Sequence, residues 1–210
     1  MIYELFPSVV ESFNLIQEEQ EFDKVILNTR EKLSDVEWIK NCYNHTSKNF
    51  NILNHNDFEP YKKVFKNRVN KYLSETLDYD YDEVILLQSW INLTNNGESH
   101  HSHDHKNSLV SGVFFLDGDM NSGDLILNKP YLSSFSPNKK NTDESVIRHW
   151  DQFYIKPVTG NLWLFPSYLT HLVSPHMSSS VSRVSISFNA IINRFGGPGL
   201  TQLRISHLTS

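Results

Sequence analysis

The sequence predicts a mainly β domain, a sandwich or jelly roll, with supporting helices in its N-terminal third. From residue 83 onward, short runs of β-branched and aromatic residues alternate with clusters of Gly, Pro, Asn and Ser, which is typical of many-stranded antiparallel folds. The residues before that point contain one strongly amphipathic helical pattern. The 210 residues, 39% of them hydrophobic and 20% charged, suffice for one hydrophobic core. We therefore expect a single domain over residues 1–210.

The N-terminal segment is predicted to contain a strand, then a short helix and a candidate second one. Apolar and polar residues in Ile2–Leu15 alternate at roughly strand spacing, and Pro7 favours an edge position or a break in that strand. The pattern of Lys24–Leu33 predicts a short helix, and Asp35–Tyr43 is a candidate for another.

The segment Asp57–Leu77 carries the strongest helical pattern in the chain. Asn56 or Asp57 is the expected N-cap, and Pro60 falls in the first turn, where its missing N–H costs little. Apolar residues recur mostly at steps of three and four and form one stripe: Phe58, Tyr61, Phe65, Val69, Tyr72 and Leu73. We expect this stripe to pack against the outer face of the sheet, because aromatic-lined helices of this kind usually belong to a hydrophobic core.

The β-rich part of the chain is predicted to contain six strands separated by turns. Clusters such as Asn95-Asn96-Gly97 and Asn121-Ser122-Gly123 mark the turns. The strands are Val84–Leu93, Leu109–Leu116, Asp124–Leu127, Gln152–Lys156, Leu162–Phe165 and Val181–Ile192. The segment Pro130–Trp150 has no periodicity and is rich in Ser, Asn, Lys and Asp, so we expect a long surface loop there, a candidate lid over a site.

Charge, cysteine content and hydropathy limit the classes of partner. The formal net charge of -5 argues against a basic surface for nucleic acid. Cys42 is the single cysteine, so we expect no internal disulfide. The first residues lack the pattern of a signal peptide, and no apolar run is long enough to span a bilayer. We therefore expect a cytoplasmic protein that does not span a membrane.

Four of the ten histidines lie close together, from His100 to His105. In an extended segment, residues two apart point the same way, so His101, His103 and His105 can share one face. Imidazole nitrogen is a ligand for iron, zinc, copper and nickel, which favours a metal site. The alternative is a polar, His-rich surface loop that titrates near neutral pH and binds nothing specific.

The last predicted strands add one histidine and one arginine. His171 follows a strand whose end is marked by Pro166. In the strand that begins at Arg183, polar residues share one face and apolar residues share the other. The polar residues are Arg183, Ser185, Ser187 and Asn189, and the apolar ones are Val184, Ile186 and Phe188. The polar face either points inward and needs an anionic partner for its arginine, or lies in water on an ordinary two-sided strand. Periodicity alone favours the second interpretation.

Taken together, these motifs resemble the iron(II)/2-oxoglutarate-dependent dioxygenase superfamily. Within it, the chain looks most similar to oxygenases of marine bacteria and their phages, which share a His-x-His…Ser-Gly-Val signature. The resemblance covers about half of the chain, from Trp90 to Asn193, and the opening segment Tyr3–Pro7 is also similar. The motifs, in chain order, are Trp90-x-Asn92, Gly97, His103-x-His105, Asn107–Phe115, Gly123-Asp124-Leu125, Gly160–Ser167 with His171, and Arg183–Asn189.

The resemblance implies a double-stranded β-helix, the cupin-like form of the jelly roll, that binds one iron(II) ion and one 2-oxoglutarate. By position, the implied metal ligands are His103, His105 and His171. Arg183, helped by Ser185, would bind the far carboxylate of 2-oxoglutarate, because a planar guanidinium can donate two parallel hydrogen bonds to a carboxylate. Asn92 is a further candidate for the same pocket.

The sequence departs from the superfamily pattern at the metal site. The usual ligand set is two histidines and one carboxylate, with the carboxylate two residues after the first histidine. Here Asp104 follows His103 directly, and position 102 is a serine. Either the triad consists of three histidines, or Asp104 or His101 supplies a ligand through a different local geometry. A set of three neutral histidines would carry one negative charge less than the usual set.

The function implied by the resemblance is oxidation of a substrate by oxygen, with 2-oxoglutarate as co-substrate. Such an enzyme hydroxylates its substrate and converts 2-oxoglutarate to succinate and carbon dioxide. Two alternatives remain open: a cupin-like metal-binding barrel without 2-oxoglutarate, and a non-catalytic barrel in which the histidines serve stability or an interface. The first alternative would leave Arg183 without a purpose inside the barrel. The expected partner is a small-molecule or peptide substrate. Candidates are a protein side chain such as proline, a small metabolite or a nucleotide, and nothing in the sequence selects among them.

Overall fold

The computed structural model describes residues 7–131, 150–178, 181–197, 199 and 201–205. In these residues the helices are α1 Leu15–Glu18, α2 Phe22–Glu31 and α3 Glu59–Lys71, and α3 continues as a π turn over Tyr72–Thr76. The strands are β1 Glu11–Asn14, β2 Trp38–Asn41, β3 Asn44–Ser47, β4 Val84–Thr94, β5 His100–His103, β6 Val110–Asp117, β7 Leu125–Asn128, β8 Gln152–Ile155, β9 Asn161–Pro166, β10 His171–Val173, β11 Arg183–Ile192, β12 Arg194–Phe195 and β13 Leu203–Arg204. No helix in the described ranges is long and apolar enough to cross a membrane.

The strands form two main antiparallel sheets that share a core. The seven-stranded sheet has the order β1-β9-β6-β11-β4-β3-β2, and the four-stranded sheet has the order β5-β10-β7-β8. Apolar residues of both sheets pack together between them, among them Phe115 and Phe165 of the larger sheet and Leu125, Leu127 and Ile155 of the smaller one. This is the mainly β jelly roll that the sequence predicts, with the arrangement of a double-stranded β-helix.

Helix α3 covers the outer face of the larger sheet, as its apolar stripe predicts. The ring of Phe65 stacks on that of Phe188 in β11, with centroids 4.9 Å apart and an interplanar angle of 15°. Tyr61 and Phe65 both contact Phe114 of β6, at 5.5 and 5.6 Å between ring centroids. Burying side chains of this size contributes roughly 1.5–3 kcal/mol each. The stripe therefore anchors the helix to the sheet.

The close packing of Phe188 depends on a glycine in the neighbouring strand. Phe188 of β11 lies opposite Gly112 of β6. A β-carbon at Gly112 would lie 2.2 Å from the nearest carbon of the Phe188 ring, far inside van der Waals contact. Position 112 therefore has to be glycine if Phe188 is to stack on Phe65.

The segment Asp35–Tyr43, which its spacing suggests as a helix, contains strand β2 instead, so that prediction is wrong. Strands β2 and β3 form a hairpin in which Asn41 pairs with Asn44 across the turn Cys42-Tyr43. Cys42 adopts a positive φ of 53°, as tight hairpin turns of this kind often require. Pairing of β3 with β4 holds the hairpin in the larger sheet. This contact joins distant parts of the chain, so no local pattern reveals it.

The other predicted elements agree with the structure apart from their ends. In the described part of the predicted N-terminal strand, β1 covers Glu11–Asn14. Helix α3 begins at Glu59 because Asn56–Phe58 forms a 3-10 turn, and Pro60 lies in the first turn as predicted. The six strands predicted from residue 84 onward are all present, with small shifts at their ends. The predicted loop Pro130–Trp150, except at its ends, and residues 3–6 of the opening motif lie outside the described residues.

Candidate metal and co-substrate site

Three of the predicted metal ligands lie together beside the smaller sheet. His103 is the last residue of β5 and His171 is the first residue of β10, and the two are direct partners in the antiparallel pairing. His105 follows shortly after β5. The ring centroids are 4.3 Å apart for His103 and His171, 5.0 Å for His103 and His105, and 5.1 Å for His105 and His171. One nitrogen of each ring lies within 4.8 Å of the other two.

Backbone carbonyl groups fix the orientation of two of these rings. Nδ1 of His103 lies 2.9 Å from the carbonyl oxygen of His101, and Nδ1 of His171 lies 2.9 Å from that of Leu169. Since a carbonyl oxygen only accepts, Nδ1 carries the proton in each ring and donates it. The lone pair is then on Nε2, which is free to bind a metal. In both cases the carbonyl belongs to the residue two positions earlier in the chain.

Burial keeps these imidazoles neutral. It lowers the pKa of His171 to about 3 and that of His105 to about 4, with a smaller contribution from the neighbouring His103. Burial also lowers the pKa of His103. Phe165 and Trp90 pack against His171 and His105, with ring centroids 5.1 and 5.6 Å away. Because protons and metal ions compete for the same lone pairs, three neutral imidazoles form a ready ligand set.

Arg183, the first residue of β11, contributes an unpaired positive charge to the same region. It is 3% exposed, and its Nε and Nη1 have no hydrogen-bond partner in the described residues. The guanidinium carbon lies 5.4 Å from the ring centroid of Phe115. Burial lowers the pKa of Arg183 to about 10, with Asp124 acting in the opposite direction, so the group stays charged at pH 7. A buried, unpaired guanidinium is costly, which points to an anion as its partner.

The three histidines and Arg183 line one cavity between the two sheets. Its other lining residues include Asn44, Trp90, Asn92, Thr94, His100, Ser111, Leu125, Phe165, Val173 and Ser187. A larger groove, of about 580 Å³, lies between α2, β3 and the start of α3. None of the predicted site residues lines that groove. The candidate chemistry therefore belongs to the smaller cavity.

The two other predicted co-substrate residues are buried in the same region. Asn92 lines the cavity, but its amide is already engaged. Its Nδ2 donates to Oγ of Ser187 at 3.0 Å, and its Oδ1 accepts from Oγ1 of Thr46 at 3.2 Å. Ser185 is 1% exposed and lies on the same face of β11 as Arg183, although it is not among the residues that line the cavity. The roles of Asn92 and Ser185 in co-substrate binding stay predictions.

Neither of the two alternative metal ligands belongs to the three-histidine group. Asp104 accepts a hydrogen bond from Lys106 at 2.7 Å, and this lysine lowers the pKa of the carboxyl group. Among the described residues, Asp104 belongs to no group of side chains that could hold a metal. His101 is exposed and groups with His100 and His103. The geometry therefore favours the three-histidine form of the triad.

The N-terminal hairpin also contributes to the cavity, which its sequence pattern does not predict. Asn44, on β3, is 2% exposed and lines the cavity, and its Oδ1 has no partner in the described structure. Across the turn, Nδ2 of Asn41 lies 3.4 Å from Nε2 of His100. The carbonyl of Tyr43 accepts from the backbone N–H of Ser99 at 3.3 Å. The asparagines on either side of the turn are the one local signal that would have indicated the hairpin.

The fold is a jelly roll with grouped histidines that could hold a metal ion. The sequence of its β-rich part matches a known family. Residues 88–189 match the family model described as "Putative 2OG-Fe(II) oxygenase". This segment therefore carries the sequence of a 2OG-Fe(II) oxygenase, a family whose cofactors are iron(II) and 2-oxoglutarate. No curated protein matches the sequence significantly. The finer likeness to the marine and phage group stays a prediction.

Several solved structures share the fold. A prolyl-4-hydroxylase from Pseudomonas putida is 14% identical, with a TM-score of 0.56, over 87% of this chain and 92% of that chain. The alpha-ketoglutarate-dependent epimerase SnoN of nogalamycin biosynthesis is 12% identical, with a TM-score of 0.62, over 92% and 83%. HygX from Streptomyces hygroscopicus, solved with nickel, 2-oxoglutarate and hygromycin B, is 10% identical, with a TM-score of 0.59, over 87% and 82%. At these identities the likeness establishes the double-stranded β-helix fold and no more.

Proposed function

We propose that the chain is an iron(II)- and 2-oxoglutarate-dependent oxygenase that hydroxylates its substrate, while 2-oxoglutarate loses carbon dioxide and becomes succinate. The observation that carries the proposal is the unpaired guanidinium of Arg183, which faces the same cavity as three neutral imidazoles. We further propose that residues 1–210 act as one domain. In support, helix α3 from the N-terminal third packs on β6 and β11 of the family segment.

The donor set suits iron(II), which His103, His105 and His171 would hold. Three imidazole nitrogens fit a first-row transition metal and leave positions on the ion for other ligands. When bound, iron(II) together with 2-oxoglutarate supplies the activation of oxygen that hydroxylation needs. The carbonyl groups behind His103 and His171 keep Nδ1 protonated, so that Nε2 is available. Because all three ligands are neutral, the dicarboxylate co-substrate would provide the negative charge that a carboxylate ligand usually provides.

Arg183 suits the far carboxylate of 2-oxoglutarate. Its planar guanidinium offers N–H groups on Nε and Nη1 that have no partner in the described structure. Two parallel hydrogen bonds from this fork to one carboxylate are stronger than hydrogen bonds between neutral groups. The ring of Phe115 lies against the guanidinium and keeps water away, which strengthens the ion pair. Ser185 and Asn92, its neighbours on β11 and β4, would assist.

The unpaired arginine also distinguishes this function from its alternatives. A cupin-like barrel without 2-oxoglutarate and a non-catalytic barrel would both keep the histidines together. Neither supplies an anion for Arg183, and a buried charge without its partner costs on the order of 3–5 kcal/mol. Membership of residues 88–189 in the oxygenase family supports the same choice.

The experiment that tests the proposal compares Arg183→Ala with Arg194→Ala. Both arginines are buried, but Arg194 is already paired with Asp80 and Asp82. Anaerobic wild-type protein with iron(II) and 2-oxoglutarate should show a weak visible charge-transfer band. In Arg183→Ala, the half-saturating concentration of 2-oxoglutarate should rise roughly 30-fold or more, since losing a buried charge pair costs about 2–5 kcal/mol. Iron binding should stay nearly intact, and Arg194→Ala should keep the wild-type band.

Three outcomes would contradict the proposal. An unchanged dependence on 2-oxoglutarate in Arg183→Ala would remove the arginine from the co-substrate pocket. A wild-type protein without the band would favour the cupin-like alternative. Loss of both iron binding and folding in Arg183→Ala would mark Arg183 as structural. We expect the metal-free variant to melt at the wild-type temperature or above it, because it no longer buries an unpaired charge.

We propose that the substrate is a small molecule or a peptide in the cytoplasm. Among the structural neighbours, one is a prolyl-4-hydroxylase and another was solved with hygromycin B. Succinate release above the substrate-free rate, measured over a library of metabolites and of proline-containing peptides, would identify the class. No stimulation by any member of either set would contradict this choice of substrates.

A further inference from the structure

Two histidines beside the proposed iron ligands have no part in the proposed reaction. His100 and His101 belong to β5, and their rings stack with centroids 4.7 Å apart and an interplanar angle of 17°. Both also lie close to His103, at 4.5 and 5.4 Å between ring centroids. One nitrogen from each of these three rings lies within 4.8 Å of the other two. We call them the outer group, and His103, His105 and His171 the inner group.

The outer group lies where the cavity meets the solvent. His101 is exposed, whereas His100 is half-buried and lines the cavity. Nδ1 of His100 lies 3.2 Å from the carbonyl oxygen of His101, so this ring also donates through Nδ1 and keeps its lone pair on Nε2. The amide of Asn41 is 3.4 Å from that Nε2, a long hydrogen bond that a metal ion can replace. The group therefore offers imidazole nitrogens that an ion can reach from solution.

His103 belongs to both groups, and it can bind only one ion at a time. Its Nδ1 donates to the carbonyl of His101 at 2.9 Å, which leaves the lone pair of Nε2 as its single metal-binding electron pair. One lone pair forms one coordinate bond. An ion in the outer group therefore deprives the inner group of a ligand and leaves it with His105 and His171.

We propose that the outer group is a second metal site, which takes a divalent transition-metal ion such as cobalt(II), nickel(II) or copper(II) and thereby excludes an ion from the inner group. Nitrogen ligands generally bind these three metals more tightly than iron(II). Metal binding by the outer group is independent of the proposed oxygenase function. Its consequence, loss of turnover while the outer group is occupied, rests on that function.

Titration of the untagged, full-length chain with cobalt(II) tests this proposal. Calorimetry gives the number of ions bound, and the visible absorption of cobalt(II) reports coordination by imidazole. His171→Ala removes the inner group and leaves the outer one, His101→Ala does the reverse, and the double variant removes both. The five other histidines, which are His45, His55, His149, His176 and His207, stay in every variant and provide the same background binding throughout.

The wild-type protein, His171→Ala and His101→Ala should each bind one cobalt(II) ion per chain. The double variant should bind it roughly 100-fold more weakly or not at all. His103→Ala should behave like the double variant, because it removes the shared ligand. Equally weak binding by His171→Ala and the double variant would overturn the outer site. Two ions on the wild-type chain would show that the groups do not compete, and would overturn the exclusion.

Two controls keep these results interpretable. Since His171 is buried, the half-buried His105 offers a second way to remove the inner group, through His105→Ala, if His171→Ala is unstable. Circular dichroism and thermal melting of the metal-free variants establish that each one folds. The cobalt(II) results need neither 2-oxoglutarate nor turnover, so they would stand if the proposed function failed. Failure of the outer site would leave the charge-transfer band and its dependence on Arg183 unchanged.

Discussion

The two faces of strand β11 are equally buried but chemically opposite. Ile186 and Phe188 on one face are 0% exposed and pack in the core with helix α3. Arg183 and Ser185 on the other face are 3% and 1% exposed. Burial alone therefore does not distinguish the face that supports the fold from the face that lines the cavity.

Hydrogen bonding divides the buried residues of the polar face into those that complete the structure and the one that is expected to bind a ligand. Oγ of Ser187 accepts a hydrogen bond from Asn92 at 3.0 Å, and Oδ1 of Asn189 accepts one from Ser111 at 2.9 Å. Arg183, on the same face, keeps two nitrogens without a partner in the described residues. Paired polar residues complete the structure, whereas an unpaired buried charge marks a place where a ligand is expected.

Among changes on the cavity side of the molecule, His171→Ala is expected to have the largest effect on turnover. This change removes the predicted metal ligand on β10, so iron binding by the inner group and turnover should both be lost. The free energy of unfolding of the metal-free protein should change by only about 1 kcal/mol, because the imidazole lines the cavity. Succinate release and denaturant unfolding measure the two quantities. Normal turnover would exclude His171 from the ligand set, and an unfolded variant would make it structural.

Phe65→Ala tests the supporting side and should show the opposite pattern. The ring is fully buried and stacks on Phe188, so the free energy of unfolding should fall by about 3–5 kcal/mol. Activity should fall only as far as folded protein is lost, with an unchanged half-saturating concentration of 2-oxoglutarate. Phe50, which is 44% exposed, provides the control variant Phe50→Ala, with little expected loss. Unchanged stability of Phe65→Ala would favour a partner surface instead of a core.

A smaller loss of stability is expected for Gly112→Ala, which also changes the side of the sheet that packs on helix α3. The added methyl group overlaps the ring of Phe188, and overpacking of this kind costs about 1–3 kcal/mol. Gly197→Ala is the matched control, because a β-carbon there meets nothing within 4 Å. Thermal unfolding of the two variants measures the difference. Equal melting temperatures would contradict the tight packing of Phe188 over Gly112.

The β-rich part of the fold is predictable from the sequence because its signals are local. Runs of β-branched and aromatic residues, and turn clusters such as Asn121-Ser122-Gly123, each encode an element directly. The stripe of Glu59–Lys71 predicts its helix in the same way. The fold class is confirmed for this reason.

The features that the sequence does not predict depend on contacts between distant residues. The hairpin of β2 and β3 lies in the sheet because β3 pairs with β4, and the helical spacing of residues 35–43 leads to a wrong prediction there. Periodicity also favours a polar face of β11 in water, whereas Arg183 is buried. The family resemblance, not the pattern, indicated the interior. The structure adds that His103, His105 and His171 lie close together, while their roles as ligands stay predictions.

The hydrogen bonds that orient His103 and His171 have the same form, from Nδ1 to the carbonyl group two residues earlier. The carbonyl group that sets the tautomer therefore lies in the same short segment of chain as the histidine that it orients. A designed strand that carried the same segment would therefore need no separate residue to orient the imidazole. Every amino acid provides a backbone carbonyl. Substitution of the neighbouring side chain therefore does not remove the acceptor, so each of the two histidines keeps the group that orients it.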